Sequence, residues 1–437
     1  MFKTLTDAFK IKEVRNKLIL TLVLLFVYRL GCWLPIPGIN PATFSTKVEG
    51  NTFLSLLSSV SGGALSQGSF LALGVSPYIT SSIIIQLLSV VIPSWQQLAK
   101  EGGADGRKKI SQYTKIAALL IAIAQSIGIA VGFGAADSVN INVFGGNYFI
   151  CYAFIVIMLT AGAMFTVWLG EKITEIGIGN GMSLLIFVGV LSSAATAIIG
   201  NFQNIVVDGQ VNQLAIWQLV LFIVALIGIF GLVVFVDGGE RKVGVQYAKQ
   251  MKGRKMYGGQ STYIPIRVNA NGVMPIIFAS TLLAFPQMLF SIFWPNVTTG
   301  FIGWYNKWLG AGSWIYSIIL ALLILAFAYF YTMINFDTER ISREIQQNGG
   351  FIPGIRPGKP TAQYLDGINK KITLFGAIFL AFMALIPTIL FTAISGTSGL
   401  TSAFSATGML IVVSVALEFD KQLEAQMMMR NYRGFLK

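Results

Sequence analysis

Arg241, Lys242, Lys249, Lys252, Arg254 and Lys255 crowd one stretch of this chain, and Arg340, Arg343, Arg356 and Lys359 crowd another. Clustered Lys and Arg in loops attract polyanions, such as phosphate-rich backbones or acidic protein surfaces. Arg356 stands between Gly354-Ile355 and Pro357-Gly358, a turn that should hold it at a rigid tip. Other reactive groupings are scarce. The chain has no His, and Arg29 is the only clear charge inside an apolar segment. Ion- and proton-coupled transport usually places Asp, Glu, His or Lys at membrane depth. Gly177-Ile178-Gly179-Asn180-Gly181 is glycine-rich but opens an apolar stretch, with no strand before it and no Lys after it. A tight turn with close helix packing accounts for it better than a phosphate loop. The sequence assigns no catalytic residue, metal ligand or cofactor.

The elements that carry these loops are apolar. Ten stretches, about 18–34, 70–92, 114–133, 148–169, 182–200, 214–236, 272–293, 313–335, 372–393 and 406–419, approach the roughly 20 residues a spanning helix needs. The last is the shortest. With 54% hydrophobic and 11% charged residues and a mean hydropathy of +0.70, an ordinary soluble domain is excluded. Of the 31 Lys and Arg residues, all but Arg29, Lys47 and Lys307 fall at the two ends or in every second gap, counting Lys115 at the edge of the third stretch with the gap before it. A basic excess in short loops marks the cytoplasmic face. Ten spans with both termini inside follow. The net charge of +13 has two readings, topology with anionic lipid headgroups or docking of a partner on the largest loops.

Phe2, Leu5, Phe9 and Ile11, interleaved with Lys3, Lys10 and Lys12, predict a short amphipathic helix lying in the interface. No cleavable signal is evident there. Cys32 and Cys151 sit near outer ends of apolar segments, so a disulfide is conceivable, while buried thiols acting as small hydrophobes are the simpler reading. Outside, after the first span, the segment 51–60 is too short to span and too apolar to float in water. It is either a re-entrant piece or an interfacial helix. Inside, after the sixth span, Ser261–Val268 follows Gly258-Gly259 and predicts a hairpin. Each five-span half thus has one long loop after its first helix, on opposite faces, and an early proline in its second helix, Pro77 or Pro275. That pattern points to an inverted repeat.

Six stretches carry a resemblance: Pro35-Ile36-Pro37-Gly38-Ile39, Ser82-Ile83-Ile84-Ile85-Gln86-Leu87-Leu88, Gly106-Arg107-Lys108-Lys109-Ile110-Ser111-Gln112-Tyr113, the Gly177–Gly181 turn, Gln260-Ser261-Thr262-Tyr263-Ile264-Pro265 and Pro353-Gly354-Ile355-Arg356-Pro357-Gly358. In this order, end to end, the sequence resembles the SecY/Sec61-alpha family of protein-conducting channels. The resemblance implies an all-α membrane protein whose ten helices form two inverted five-helix halves, 1–205 and 206–437, around an hourglass pore. A ring of Ile79, Ile83, Met182, Ile186, Ile277 and Ile411 would close the pore midway, Met182 departing from the isoleucine expected there. Ile79/Ile83 and Met182/Ile186 are i, i+4 pairs, so each pair stacks on one helix face.

By the same resemblance, the outer segment 51–65 is a plug carrying Phe53, Leu54, Leu56, Leu57 and Val60, with Gly62, Gly63 and Gly68 as its hinge. A lateral gate would open between spans two and three and spans seven and eight, where Gln86, Ser89, Gln125, Ser280 and Thr281 are polar. Hydrogen bonds across that seam are the expectation. The loops 237–270 and 336–371 would dock a ribosome or a SecA-type motor ATPase, with SecE- and SecG-type subunits as membrane partners. Substrates would be unfolded signal-bearing polypeptides, released across or into the lipid of a bacterial plasma membrane, with the energy supplied from outside the chain. Two rivals share the topology. A secondary transporter would need ligands inside its spans, and an insertase without a pore would not need the apolar ring.

Overall fold

All ten apolar stretches coincide with helices in the structure, a computed structural model. It describes residues 2–434 apart from 51–53, 55–57, 59–60, 101–102, 135–146, 204–205, 208–209, 212, 248–249, 253–254, 258–260, 270–271, 273, 294–299, 311–312 and 395–405. In chain order the helices are α1 (Phe2–Lys10), α2 (Lys12–Gly31), α3 (Pro41–Gly50), α4 (Ser76–Val91), α5 (Pro93–Lys100), α6 (Gly103–Gly134), α7 (Tyr148–Ile176) and α8 (Gly181–Gln203). They continue as α9 (Gln213–Asp237), α10 (Met274–Phe293), α11 (Gly300–Leu309), α12 (Trp314–Asn335), α13 (Thr338–Gln347), α14 (Lys359–Ile394) and α15 (Ala406–Gly434). The predicted N-terminal amphipathic helix is α1. Among the described residues, Asp105–Ala130, Tyr148–Ile176, Trp314–Gln347 and Lys359–Leu385 are long and apolar enough to cross a membrane; α4, α8, α9 and α10 carry shorter apolar runs.

Several helix boundaries differ from the hydropathy reading, and the start of the second has a clear backbone cause. The second stretch is expected to be helical from about residue 70, yet α4 begins at Ser76. Gly68 and Gly74 adopt left-handed backbone (φ 59° and 52°), which interrupts a right-handed helix, and Pro77 sits in the first turn, where its missing N–H costs nothing. At 16 residues α4 is about 24 Å long, shorter than the hydrocarbon core. Buried turns at 61–75 fill the remaining depth.

The helices pack as two groups. In the first, α4 packs on α6, α6 on α7, α7 on α8, and α2 on both α7 and α8. In the second, α10 packs on α12, α12 on α14, and α14 and α9 on α15. The groups meet along two lines: α8 against α15, and α10 against α4 and α6.

Beyond the helix ends lies a small β unit. A two-residue hairpin, β1 (Val206–Val207) with β2 (Gln210–Val211), links α8 to α9. The predicted hairpin is two-tiered: β3 (Glu240–Tyr247) pairs antiparallel with β6 (Ser261–Arg267), and nested inside it β4 (Gln250–Lys252) pairs with β5 (Lys255–Tyr257). A short β7 (Gly350–Phe351) pairs with the end of β3. Val243, Val245, Ile266, Ile345, Ile352 and Leu365 form the core of this unit, fastening the hairpin to α13 and the start of α14.

Candidate functional site

Four helices drawn from both groups bring the six aliphatic ring positions together. Ile186 and Ile411 are buried in one core, against which Ile79, Met182 and Ile277 pack. Ile83 is buried in the adjoining core, and Ile79 and Ile277 touch that one too. None of the six is exposed; Ile83, Ile186 and Ile411 are 5%, 6% and 5% accessible. The glycine-rich turn positions Met182 and Ile186. A Cβ on Gly181 would lie 1.9 Å from the Gly170 carbonyl oxygen, so only glycine lets α8 start this close to α7. Thr21 Oγ1 accepts from the Ile178 N–H at 3.1 Å, Thr174 Oγ1 accepts from Gly181 N–H at 2.8 Å, and Asn180 Oδ1 caps α8 through the Met182 N–H at 3.1 Å.

Beside Met182 lies a cavity of about 650 Å³ lined by Tyr78, Glu171, Glu175, Asn180, Met182 and Glu418, among others. Its carboxylates escaped the sequence reading. Lys115 pairs with Glu171 at 2.8 Å and Lys172 with Glu175 at 2.7 Å. Acidic residues at helix ends otherwise flanked by Lys and Arg were the available signal.

The described residues between α3 and α4 are mostly buried. Leu54 is half-buried against the core formed by Ile36, Phe44, Val48 and Leu65. Phe53, Leu56, Leu57 and Val60 lie outside the described residues. Gly62, Gly63 and Gly68 all have left-handed φ, at 74°, 82° and 59°. Ile36 N–H donates to the Gly68 carbonyl at 2.9 Å and Phe70 N–H to the Leu34 carbonyl at 2.9 Å, tying the segment to the end of the first span. Arg29 Nη1 donates to the Gly62 carbonyl at 2.8 Å, and its guanidinium lies 5.7 Å from the Trp33 ring centre. Cys32 and Cys151 are free and buried in separate cores.

Along the second line of contact, the expected polar residues divide. Ser280 and Thr281 hydroxyls both donate to the Ile277 carbonyl of their own helix, at 2.9 and 2.7 Å, and Ser89 donates to the Gln86 carbonyl at 2.7 Å. Gln125 is buried on α6. Gln86 reaches the other group: its Oε1 accepts from the Tyr331 hydroxyl of α12, while its Nε2 donates to Ser82 Oγ at 3.3 Å. Tyr331 escaped the sequence reading; a hydroxyl within the aromatic run Tyr329-Phe330-Tyr331 was its only signal.

The basic loops form an exposed shelf on the β unit. Lys242 pairs with Glu240 at 3.3 Å and lies 4.8 Å over the Tyr263 ring, and Arg241 is exposed beside it. Lys252 and Lys255 face each other in register; Lys249 and Arg254 lie outside the described residues. Arg340 pairs with Glu344 at 3.0 Å and Arg343 with Glu339 at 3.8 Å. Arg356 and Lys359 are exposed, with no carboxylate within ion-pair distance among the described residues. The Arg356 turn is pinned at both ends: Ser342 Oγ donates to the Gly358 carbonyl at 2.7 Å and Thr361 Oγ1 to the Arg356 carbonyl at 2.8 Å.

A profile of the SecY family matches residues 69–419. The protein translocase subunit SecY of Halalkalibacterium halodurans is 38% identical over 444 residues, covering all of both chains. A solved protein-conducting channel has the same fold, with a TM-score of 0.66 at 19% identity over 94% of this chain and 91% of that one. Sec61 from the canine ribosome-channel complex of the endoplasmic reticulum aligns with a TM-score of 0.60 at 19% identity, over 94% and 91%. The chain belongs to the SecY family.

Proposed function

We propose that this chain is a protein-conducting channel that passes unfolded, signal-bearing polypeptides across a bacterial plasma membrane and releases apolar helices sideways into lipid. It is not an enzyme. The observation that carries the reading is the convergence of Ile79, Ile83, Met182, Ile186, Ile277 and Ile411 from both helix groups beside a polar vestibule. Aliphatic side chains offer an ion no ligand and a narrow apolar neck dewets, so the ring seals against leak yet slides along any peptide sequence.

The halves 1–205 and 206–437 are the moving bodies, and the segment 51–65 is the plug, with Arg29 and the left-handed glycines seating it. Gln86, Ser89, Gln125, Ser280 and Thr281 line the gate between the halves. The basic shelf lies in the cytoplasm with both termini, where Arg241, Lys242, Arg340, Arg343, Arg356 and Lys359, together with Lys249, Lys252, Arg254 and Lys255, dock a SecA-type motor or a ribosome. The ribosome-bound relative of like fold and the exposed, pinned Arg356 support that docking. SecE- and SecG-type subunits complete the assembly. Reconstituted vesicles supplied with a SecA-type motor and ATP test the reading. Entry of an unfolded signal-bearing polypeptide into the lumen is expected; uptake of a small solute without polypeptide passage would refute it in favour of a transporter.

A further inference from the structure

We infer that Asp237 is a positioning residue: it fastens the root of the basic hairpin to α15, so that a partner docked on the shelf bears on the line where the two helix groups meet. The inference rests on the channel reading above. Asp237 is disfavoured at its place. It ends the apolar helix α9, where the last carbonyls form a negative pole that repels a carboxylate, and its side chain is only 11% accessible. A buried charge is retained where it is paired and hydrogen-bonded. Asp237 has both. Asn269 Nδ2 donates to its Oδ1 at 2.9 Å, and Lys421 Nζ of α15 lies 3.7 Å from its Oδ2.

Each oxygen of the carboxylate answers to a different element. Asn269 stands at the far end of the hairpin, shortly before α10. Its bond to Asp237, with that of Val268 N–H to the Gly239 carbonyl at 3.0 Å, closes the two ends of the hairpin on each other. A Cβ on Gly376 of α14 would lie 2.5 Å from the Val268 carbonyl, so the closed root presses directly on that helix. Lys421 has Glu418 and Glu424 three residues away on its own helix, yet it pairs across to Asp237. Ile411 lies ten residues before Lys421, about 15 Å along α15, and α15 packs on α8 of the first group. The shelf residues Arg241 and Lys242 are held separately, by the pairing of β3 with β6 and the core around Val243 and Ile266. Breaking the Asp237–Lys421 pair therefore leaves the docking surface folded and frees its root from α15.

The test uses the full chain in vesicles with a SecA-type motor and ATP. Two quantities are read: the motor concentration that half-saturates binding, and the rate of polypeptide passage at saturating motor. Asp237→Asn keeps the shape and the Asn269 bond and removes the charge. It should leave half-saturation unchanged and slow passage about 2- to 5-fold, the equivalent of roughly 0.4–1 kcal/mol for a part-exposed ion pair. Asp237→Lys and Lys421→Asp each set like charges together and should slow passage further. The double reversal should restore most of it, with Asn269 turning its carbonyl to the new ammonium. A hairpin that merely needed Asp237 to fold would lose motor binding in step with passage, and that result would overturn the inference while leaving the channel standing. So would wild-type passage in both single reversals, or a double reversal no faster than either. Failure of the wild-type chain to pass polypeptide would overturn the channel and the inference with it.

Discussion

If the channel reading holds, replacing Arg29 by Met should unseat the proposed plug. The guanidinium lies well inside the first apolar stretch, and it donates to the Gly62 carbonyl at 2.8 Å. Gly62 is itself buried with φ 74°, and a Cβ there would lie 2.9 Å from Arg29 Nη1 and 3.0 Å from the Gly189 carbonyl of α8. The contact is thus made from three elements at once. A hydrogen bond to a charged group contributes about 1.5–3 kcal/mol. At roughly 1.4 kcal/mol per factor of ten, its loss shifts the balance of seated to displaced segment by about 10- to 150-fold. Methionine keeps the length and apolar stem of the side chain, so the packing of α2 changes little.

Planar-bilayer recordings of the reconstituted chain read this balance as the fraction of time an ion current flows. Arg29→Met should raise that fraction by one to two orders of magnitude, and Arg29→Lys should fall between, because an ammonium supplies a point charge without the planar fork. Gly62→Ala approaches the same contact from the loop side. With the guanidinium intact, its Cβ has no room and its φ disfavours any other residue, so it should also open the channel. If both variants remain as closed as wild type while unfolding at the same temperature, Arg29 does not hold the segment and the argument fails.

Ile186→Asn should raise resting ion leak by adding a hydrogen-bonding group to the constriction, whereas Ile186→Val should not; equal leak in both would remove Ile186 from the ring. Gly162→Ala places a Cβ 1.9 Å from the Phe70 carbonyl, a collision with backbone that should cost about 1–3 kcal/mol and lower the unfolding temperature in detergent. An unchanged temperature would mean that α7 does not bear on the 61–75 turns as described. Arg356→Glu should sharply reduce motor-driven passage while leaving ion leak and unfolding temperature unchanged, and intact passage would refute docking at that turn.

Hydropathy and charge carried much of the architecture, because each helix is selected by its own transfer from water to lipid. All ten apolar stretches are helices, and the glycine-rich turn at 177–181 is the tight, close-packed junction its composition suggested. What escaped depends on contacts between distant parts of the chain. The start of α4 at Ser76 is decided by Gly68, Gly74 and Pro77 rather than by apolarity, which is continuous from residue 70. The strand at 240–247, with three charges in its first three residues, has no strand signature until it pairs with Ser261–Arg267. Ser280 and Thr281 look like seam donors in sequence, but a hydroxyl on a helix finds the carbonyl three or four residues back with no tertiary help. Tyr331 went unread because nothing local indicates that a glutamine 245 positions earlier will face it.

On the channel reading, the proposed ring and seam should act as one device, because their residues stand on the same helices. Helix α4 supplies Ile79 and Ile83 to the ring and Gln86 to the seam, and α10 supplies Ile277 to the ring while packing against both α4 and α6. Side chains three and four apart share a face of a helix, and a helix moves as a rod on this scale. A displacement of α4 that frees Gln86 should also disturb the packing of Ile79 and Ile83. The line between α8 and α15 contributes Met182, Ile186 and Ile411, which pack as one core with Leu185 and Val415, so that side of the ring can stay closed while the other parts. On the channel reading, a widening that begins at the seam and pivots on α8 and α15 should open the neck and the lateral route in one motion, and a lesion that locks the seam should arrest passage across the membrane as completely as release into it.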